Sequence, residues 1–410
     1  MAPGGGYHPD DVIPYLVVFG VSAGVTFAAT PLVRRLSLRL GWIDHPSDRK
    51  VHPKPTPTAG GLAIFVGIVA ALIVARALPA LAGLHETTSE LDAAVVAMLV
   101  IVVVGVIDDV RGLSPLGKLA GQVLAAGLLV LAGVQLLYFY FPGQGVLSLS
   151  PDLAVPLTVL WIAGMVNAVN LIDGLDGLAA GMVAIGAGAF FLYMALGPTA
   201  GSDPSNAAVL SAIAAGAAIG FLPWNFYPAK IFMGDTGSGL LGLMLAVATI
   251  SGVGRNPYPP SGGDLAAVAI PIVLPLLVLA IPFLDVLLAI VRRMRKGLGV
   301  HHADKEHIHH RLMDIGHSQR QAVVLMYLWS ALISGCALAV AFIDGRLIVI
   351  GIVTGALLAA AVLPRLMRDR APHGSDVGST LTAGPSVAAT PGSTRPEQVG
   401  DEGRRDVAAR

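Results

Sequence analysis

Long apolar runs restrict what this chain can become more than any single motif does. A helix that crosses a bilayer needs about 20 mostly apolar residues. Runs of that kind recur about eleven times, near residues 12–33, 59–79, 92–107, 118–139, 153–169, 178–196, 207–223, 237–253, 265–291, 322–342 and 346–363. Several are rich in Gly and Ala, which suits close helix packing in lipid. Charged residues make up 13% of the 410, against roughly 25% in a soluble domain. The expected fold is therefore all-α: a polytopic membrane protein, a bundle of about 11 transmembrane helices with the polar chemistry on cytoplasmic loops. Residues 1–11 form a short extracytoplasmic N-terminus and 12–363 the transmembrane domain. The Gly/Ser/Thr/Pro-rich stretch 364–410 reads as a disordered cytoplasmic tail, because it has little to bury.

The net charge is +0, but Lys and Arg are unevenly placed. With the N-terminus outside, 23 of the 26 basic residues fall on the inner connections and the tail, and only Arg76, Arg255 and Arg346 face out. The positive-inside rule then puts the inner connections and the C-terminus in the cytoplasm of a cell (inner or plasma) membrane. No cleavable signal peptide is expected, since Met1–Asp11 has no basic region. The single cysteine, Cys336, excludes an intrachain disulfide framework and a Cys-based metal site.

Four polar clusters interrupt the apolar pattern, all on the cytoplasmic side of this topology. The first is I-D-D-V-R-G-L-S-P-L-G-K, with Asp108, Asp109 and Lys118. The second is N-A-V-N-L-I-D-G-L-D-G-L, with Asn167, Asn170, Asp173 and Asp176 at intervals of three, a spacing that keeps neighbours on one helical face. The third is N-F-Y-P-A-K-I-F-M-G-D-T-G-S, with Asn225, Lys230 and Asp235. The fourth is H-H-A-D-K-E-H-I-H-H-R-L, with His301, His302, Asp304, His307, His309, His310 and Arg311. An Asp at the bilayer centre costs about 2.5–3.5 kcal/mol, so the five acidic residues of the first three clusters would together cost roughly 12–17 kcal/mol there. They must lie at helix ends, wet or paired.

Each cluster allows a plain and a chemical reading. Asp108–Asp109 can be an acidic cap beside Arg111, or a metal-assisted base and phosphate-handling pair. Asn167–Asp176 can be a satisfied polar helix end, or a ligand-facing strip. Asp235 between two glycines suits Mg²⁺, which takes one or two protein oxygens and fills the rest with water and phosphate. The histidine loop can be a solvated basic loop or a zinc site. The flanking Arg292, Arg293, Arg295 and Lys296 suit a loop that grips phosphate better. The ninth run carries Pro271, Pro275 and Pro282, either ordinary kinks or a bent helix framing a groove open to lipid. Asp285 within it reads as a structural partner of Arg292 or Arg293.

Taken together and in this order, the motifs D-D…L-S-P-x-x-K, N-x-x-N-L-I-D-G-L-D-G-L, F-M-G-D-T-G-S and H-x-H-H resemble those of the polyprenyl-phosphate N-acetylhexosamine-1-phosphate transferases, glycosyltransferase family 4. R-K-V-H-P-K-P-T-P-T-A-G-G (Arg49–Gly61) resembles that family's first cytoplasmic loop. The resemblance implies transfer of a sugar 1-phosphate from a UDP-sugar to a polyprenyl phosphate with release of UMP, starting a cell-envelope polysaccharide. It implies Mg²⁺, with Mn²⁺ as an alternative, on Asn170 and Asp235. It implies that Asp108 or Asp109 deprotonates or positions the lipid phosphate and that Lys118 binds phosphate. Asn167, Asp173 and Asp176 fall on the substrate side, with the two Asp facing the nucleoside. His307, His309, His310 and Arg311 would contact the sugar phosphate. H-I-H-H-R-L and eleven spans resemble the branch using UDP-N-acetylglucosamine rather than the phospho-N-acetylmuramoyl-pentapeptide transferases. The acceptor would be undecaprenyl or decaprenyl phosphate; the membrane is a partner, nucleic acid is not, and a homodimer is allowed. A secondary transporter is the competing class, disfavoured because the acidic residues cluster at one face and no internal repeat is evident.

Overall fold

The structure is a computed structural model that describes residues 12–46, 54–87, 89–141, 145–197, 205–254 and 318–342. The chain divides into two compact units, Met1–Pro364 and Arg365–Arg410; the second lies outside the described residues, and the fold below is that of the first. Its helices among the described residues are α1 (Ile13–Leu40), α2 (Gly61–Ala77), α3 (Pro79–Thr87), α4 (Glu90–Arg111), α5 (Pro115–Leu131), α6 (Pro151–Ile172), α7 (Leu178–Leu196), α8 (Asn206–Asn225), α9 (Gly234–Thr249) and α10 (Gln319–Phe342). A π-helical turn, Ile250–Gly254, extends α9. Two short antiparallel pairs accompany them, β1 (Ile43–Asp44) with β2 (Thr56–Pro57), and β3 (Tyr138–Phe141) with β4 (Gly145–Ser148).

This is an all-α polytopic membrane protein. Among the described residues, six helices are long and apolar enough to cross a membrane: Ile13–Leu40, Glu90–Arg111, Pro151–Ile172, Leu178–Leu196, Asn206–Asn225 and Gln319–Ala339. Helices α2 and α5 are shorter apolar helices of 17 residues. The expected runs at 265–291 and 346–363 lie outside the described residues. Large apolar side chains such as Ile73, Leu131 and Leu160 point outward, which is costly in water and ordinary in lipid. One expected border is corrected. The run 118–139 does not stay helical to its end: α5 stops at Leu131, Val134 N–H closes on Leu129 C=O at 2.8 Å, and Tyr138-Phe139-Tyr140-Phe141 pairs as a strand. Aromatic residues fit a pleated strand better than a helix end.

Helix α9 is the axis of the unit. Every residue from Thr236 to Thr249 is buried, and α9 packs against α2, α4, α6 and α8. Glycines make this close approach fit. A Cβ on Gly61 would overlap the Gly237 backbone, one on Gly105 would overlap the Thr236 backbone, and one on Gly242 would come within 2.7 Å of Val166 Cα. Around this axis α8 crosses α1 at Gly216 and Gly220, where a Cβ would overlap the Phe19 and Ala23 carbonyls. Small residues four apart let backbones approach in just this way. Ser22 Oγ–H reinforces the crossing by donating to Ile213 C=O at 2.8 Å.

The C-terminal ends of α4, α6 and α8 and the N-terminal ends of α5, α7 and α9 meet at one end of the bundle, where the first three polar clusters lie. The segment before α2 joins them: Phe232 N–H donates to Pro57 C=O, while Gly60 and Gly61 N–H donate to Phe232 and Met233 C=O, all at 2.9 Å. Gly105→Val is expected to unseat α9 and lower stability by about 1–3 kcal/mol. Gly127→Ala on α5, whose Cβ meets nothing within 4 Å, should leave the melting temperature unchanged or raised. Thermal unfolding of the two variants in detergent checks the pair.

Candidate active site

The turn between α4 and α5 builds one side of the site. Ser114 caps α5 by accepting from Gly117 N–H at 3.2 Å, and Pro115 opens the helix. The L-S-P-x-x-K spacing thus puts Lys118 in the first turn of α5. Asp108 ends α4, where its Oδ1 accepts from Leu113 N–H at 2.6 Å. Lys118 Nζ then lies 2.6 Å from Asp108 Oδ2 and 2.5 Å from Asp235 Oδ2. One ammonium on α5 bridges two carboxylates, one from α4 and one from α9.

Asp235 enters through the first turn of α9, opened by Gly234 at φ 69°. A side chain at Gly234 would be strained by that φ and would strike the Asp109 carboxylate. Asp109 is fully engaged there. Its Oδ1 accepts from Asp235 N–H at 2.7 Å, and its Oδ2 accepts from Thr236 N–H at 3.3 Å and Thr236 Oγ1–H at 2.7 Å. Asp109 is thus an N-terminal cap supplied by a neighbouring helix, suited to the unpaired N–H groups and positive end of α9. The adjacent carboxylates of D-D have different work: Asp108 meets Lys118 and Asp109 holds α9.

The N-x-x-N-L-I-D-G-L-D-G-L stretch is helical only as far as Ile172. Asn167 and Asn170 lie in the last turns of α6 and Asp173 at its C-cap. Asn170 Nδ2 donates to Asp235 Oδ1 at 2.9 Å and Ser238 Oγ at 3.0 Å, leaving its amide oxygen for a ligand. Asn167 pairs with Gln122 of α5, donating to Gln122 Oε1 at 2.7 Å. Burial pushes the Asp173 carboxyl well above its ordinary range, and the nearby Asp235, Asp109 and Asp176 push it the same way. Asp176 faces the α8–α9 connection, its Oδ2 accepting from Ala229 N–H at 2.8 Å.

The loop after Asp173 is held from two further sides. Gly177 N–H donates to Asn225 Oδ1 at 3.1 Å, while buried Asn225 returns a bond to Ile231 C=O at 3.1 Å. From α10, the Tyr327 hydroxyl donates to Gly177 C=O, and Arg320 lies over the Phe226 ring. Lys230 does not join the acidic group; its Nζ sits 5.0 Å above the Trp224 ring. His307, His309, His310 and Arg311 lie outside the described residues, as do His301, His302, Asp304, Asp285, the prolines of the ninth run and Arg292 to Lys296.

Asp108, Lys118, Asn167, Asn170 and Asp235 line one cleft of about 380 Å³ between α4, α5, α6 and α9, with Gln122 and apolar Ile101, Val104 and Val166 deeper down. Its mouth carries two carboxylates, Asp108 and Asp235, and one ammonium, and its floor is apolar. Among the described residues no three His, Cys, Asp or Glu side chains are grouped to enclose a metal. The donor set instead fits a hard ion that takes few protein oxygens: one carboxylate and one amide oxygen on facing helix ends, with crowded carboxylates nearby. Gln122, Ser238, Thr236 and Tyr327 were not singled out from sequence. Gln122 lies four residues after Lys118 and Ser238 three after Asp235, and that periodicity was the available signal.

A model of glycosyl transferase family 4 matches residues 91–253. A decaprenyl-phosphate N-acetylglucosaminephosphotransferase of Mycobacterium tuberculosis is 42% identical over 365 residues, covering 86% of this chain and 90% of the relative. A probable undecaprenyl-phosphate N-acetylglucosaminyl 1-phosphate transferase of Bacillus subtilis is 37% identical over 317 residues, 77% of this chain and 82% of the relative. A phospho-N-acetylmuramoyl-pentapeptide-transferase of Mycolicibacterium paratuberculosis is 35% identical over 278 residues, 58% of this chain and 76% of the relative. Removal of the α9 cap by Asp109→Ala is expected to cost about 1–3 kcal/mol. Asp109→Asn, which keeps an acceptor, should lose less. Melting temperatures of the purified variants, ranked with wild type, check this order.

Proposed function

The chain belongs to glycosyl transferase family 4, the polyprenyl-phosphate N-acetylhexosamine-1-phosphate transferases, and we propose that it transfers N-acetylglucosamine 1-phosphate from UDP-N-acetylglucosamine to a polyprenyl phosphate, undecaprenyl or decaprenyl. UMP leaves, and the lipid-linked product begins a cell-envelope polysaccharide. The observation that carries this is the meeting of Asp108, Lys118, Asn170 and Asp235 at the mouth of a cleft with an apolar floor. Phosphate chemistry needs the charged mouth, and a lipid substrate accounts for the floor.

An oxygen of the lipid phosphate attacks the β-phosphorus of the UDP-sugar. The bond from that phosphorus to the bridging oxygen breaks, and UMP departs with the electron pair. The glycosidic bond is untouched, so anomeric configuration is retained. Lys118 supplies the cation of the cleft and orients phosphate oxygens by donating to them. Asp108 is the carboxylate left to accept a proton from, or align, the attacking phosphate, because Asp109 is spent on α9. Asn170 and Asp235 would hold a divalent ion, Mg²⁺ or Mn²⁺, which when bound offsets charge on the diphosphate and the departing UMP. The loop carrying Asp173 and Asp176, beyond the polar mouth, would receive the nucleoside.

Relatives named for N-acetylglucosamine transfer match more of this chain, at higher identity, than the muramoyl-pentapeptide transferase does, which supports UDP-N-acetylglucosamine as donor. The Lys and Arg distribution supports a cytoplasmic site with the N-terminus outside. The deciding experiment offers both UDP-sugars to purified protein; UMP formed with UDP-N-acetylglucosamine is expected, and preference for the peptide-bearing donor would reverse the assignment. Asp235→Asn should lower UMP release by about a thousandfold, comparable with loss of a principal electrostatic group. Chelation should stop wild-type turnover and Mg²⁺ restore it, and full activity in chelator would remove the ion from the scheme.

A further inference from the structure

Helices α5 and α6 are joined by two polar rungs. The upper one runs Lys118–Asp235–Asn170. The lower one lies a turn deeper on each helix and consists of Gln122 and Asn167. Gln122 is 7% exposed in the stretch of α5 after Lys118 that is otherwise apolar, where a carboxamide with unused hydrogens is costly. Asn167 Nδ2 uses both of its hydrogens, donating to Gln122 Oε1 and to Ala163 C=O at 2.7 Å each. Gln122 Nε2 is the opposite case. It reaches Asn167 Oδ1 only at 3.5 Å, beyond the ordinary range for an amide donor. Among the described residues no other group takes its hydrogens. Of the two amides in the lower rung, Gln122 therefore has the donors left for a ligand.

We propose that Gln122 is a binding residue for the acceptor lipid: its Nε2 donates to a phosphate oxygen of the polyprenyl phosphate, and Asn167 is a positioning residue that fixes the amide by donating to Oε1. The assignment rests on the functional reading above and adds to it which substrate this rung meets. Two features single out the acceptor over the UDP-sugar. Gln122 lies between the Lys118 level and the apolar wall of Ile101, Val104 and Val166, so a group bound there has phosphate on one side and hydrocarbon on the other. A nucleotide sugar is polar throughout and gains nothing from that wall. A neutral amide also adds donors without a second cation that would compete with Lys118 for Asp108 and Asp235.

The test uses the full-length protein in detergent with UDP-N-acetylglucosamine and decaprenyl phosphate, each varied in turn. Gln122→Leu should raise KM for decaprenyl phosphate about tenfold, equivalent to about 1.4 kcal/mol, with KM for UDP-N-acetylglucosamine within about twofold of wild type. Gln122→Glu keeps the shape, replaces the donor by an anion, and should raise the acceptor KM further; it carries the test if the Leu variant fails to fold. An acceptor KM within about twofold of wild type in the folded variants overturns the assignment alone. So does a parallel rise of both KM values with a lowered melting temperature, because that marks a structural prop. Wild-type protein that turns over neither decaprenyl nor undecaprenyl phosphate overturns the functional reading, and this assignment with it.

Discussion

Helix α9 carries one charged residue, Asp235, at the start of a segment otherwise buried from end to end. The position of that carboxylate is the position of the helix, and the first turn of α9 is held by Asp109 of α4 through two N–H groups and a hydroxyl. A carboxylate accepting such bonds at a helix N-terminus faces the positive end of the peptide dipoles. Everything else in the site refers to this anchored point. Lys118 and Asn170 reach Asp235 from helices on either side, and Ser238 steadies Asn170 from one turn along α9.

Charges this close would be prohibitive in a dry interior, since burying one ion without a partner costs several kcal/mol. Here they are spread over helix ends, and all but Asp173 have a specific donor, with Asp235 meeting Lys118 and Asn170. Asp108 has Leu113 N–H and Lys118, Asp109 has the α9 terminus, and Asp176 has Ala229 N–H. Asp173 sits at the α6 C-cap with like charges around it, and its carboxyl is held toward the neutral form. A cation added to this end of the bundle would ease that crowding.

The bundle and the polar motifs were legible because bilayer thickness and the cost of intramembrane charge leave strong marks in a sequence. Less was legible where the physics is three-dimensional. Asp108 and Asp109 look alike as a pair, yet successive residues on a helix point about 100° apart, so one faces the cleft and the other faces α9. Asn167 to Asp176 kept a period of three, but the helix ends at Ile172, and only Asn167 and Asn170 share the cleft. The strand Tyr138–Phe141 was hidden because apolar content alone does not separate a helix end from a strand. Gln122 was overlooked as one polar residue in an apolar run, although its spacing from Lys118 placed it on the same face.

The crossing of α1 and α8 constrains how the chain can be built. Ser22 finds its acceptor at Ile213, 191 residues further along, and Gly216 and Gly220, which admit α1 at that crossing, belong to α8. During synthesis α1 reaches the bilayer long before that partner exists, with Ser22, Thr26 and Thr30 facing lipid or transient neighbours. Thr30 bonds its own Thr26 carbonyl, whereas the bond Ser22 makes here needs α8. Helix α1 can meet α2 early, where Gly67 admits Thr26, but its crossing with α8 closes only once α8 has been translated.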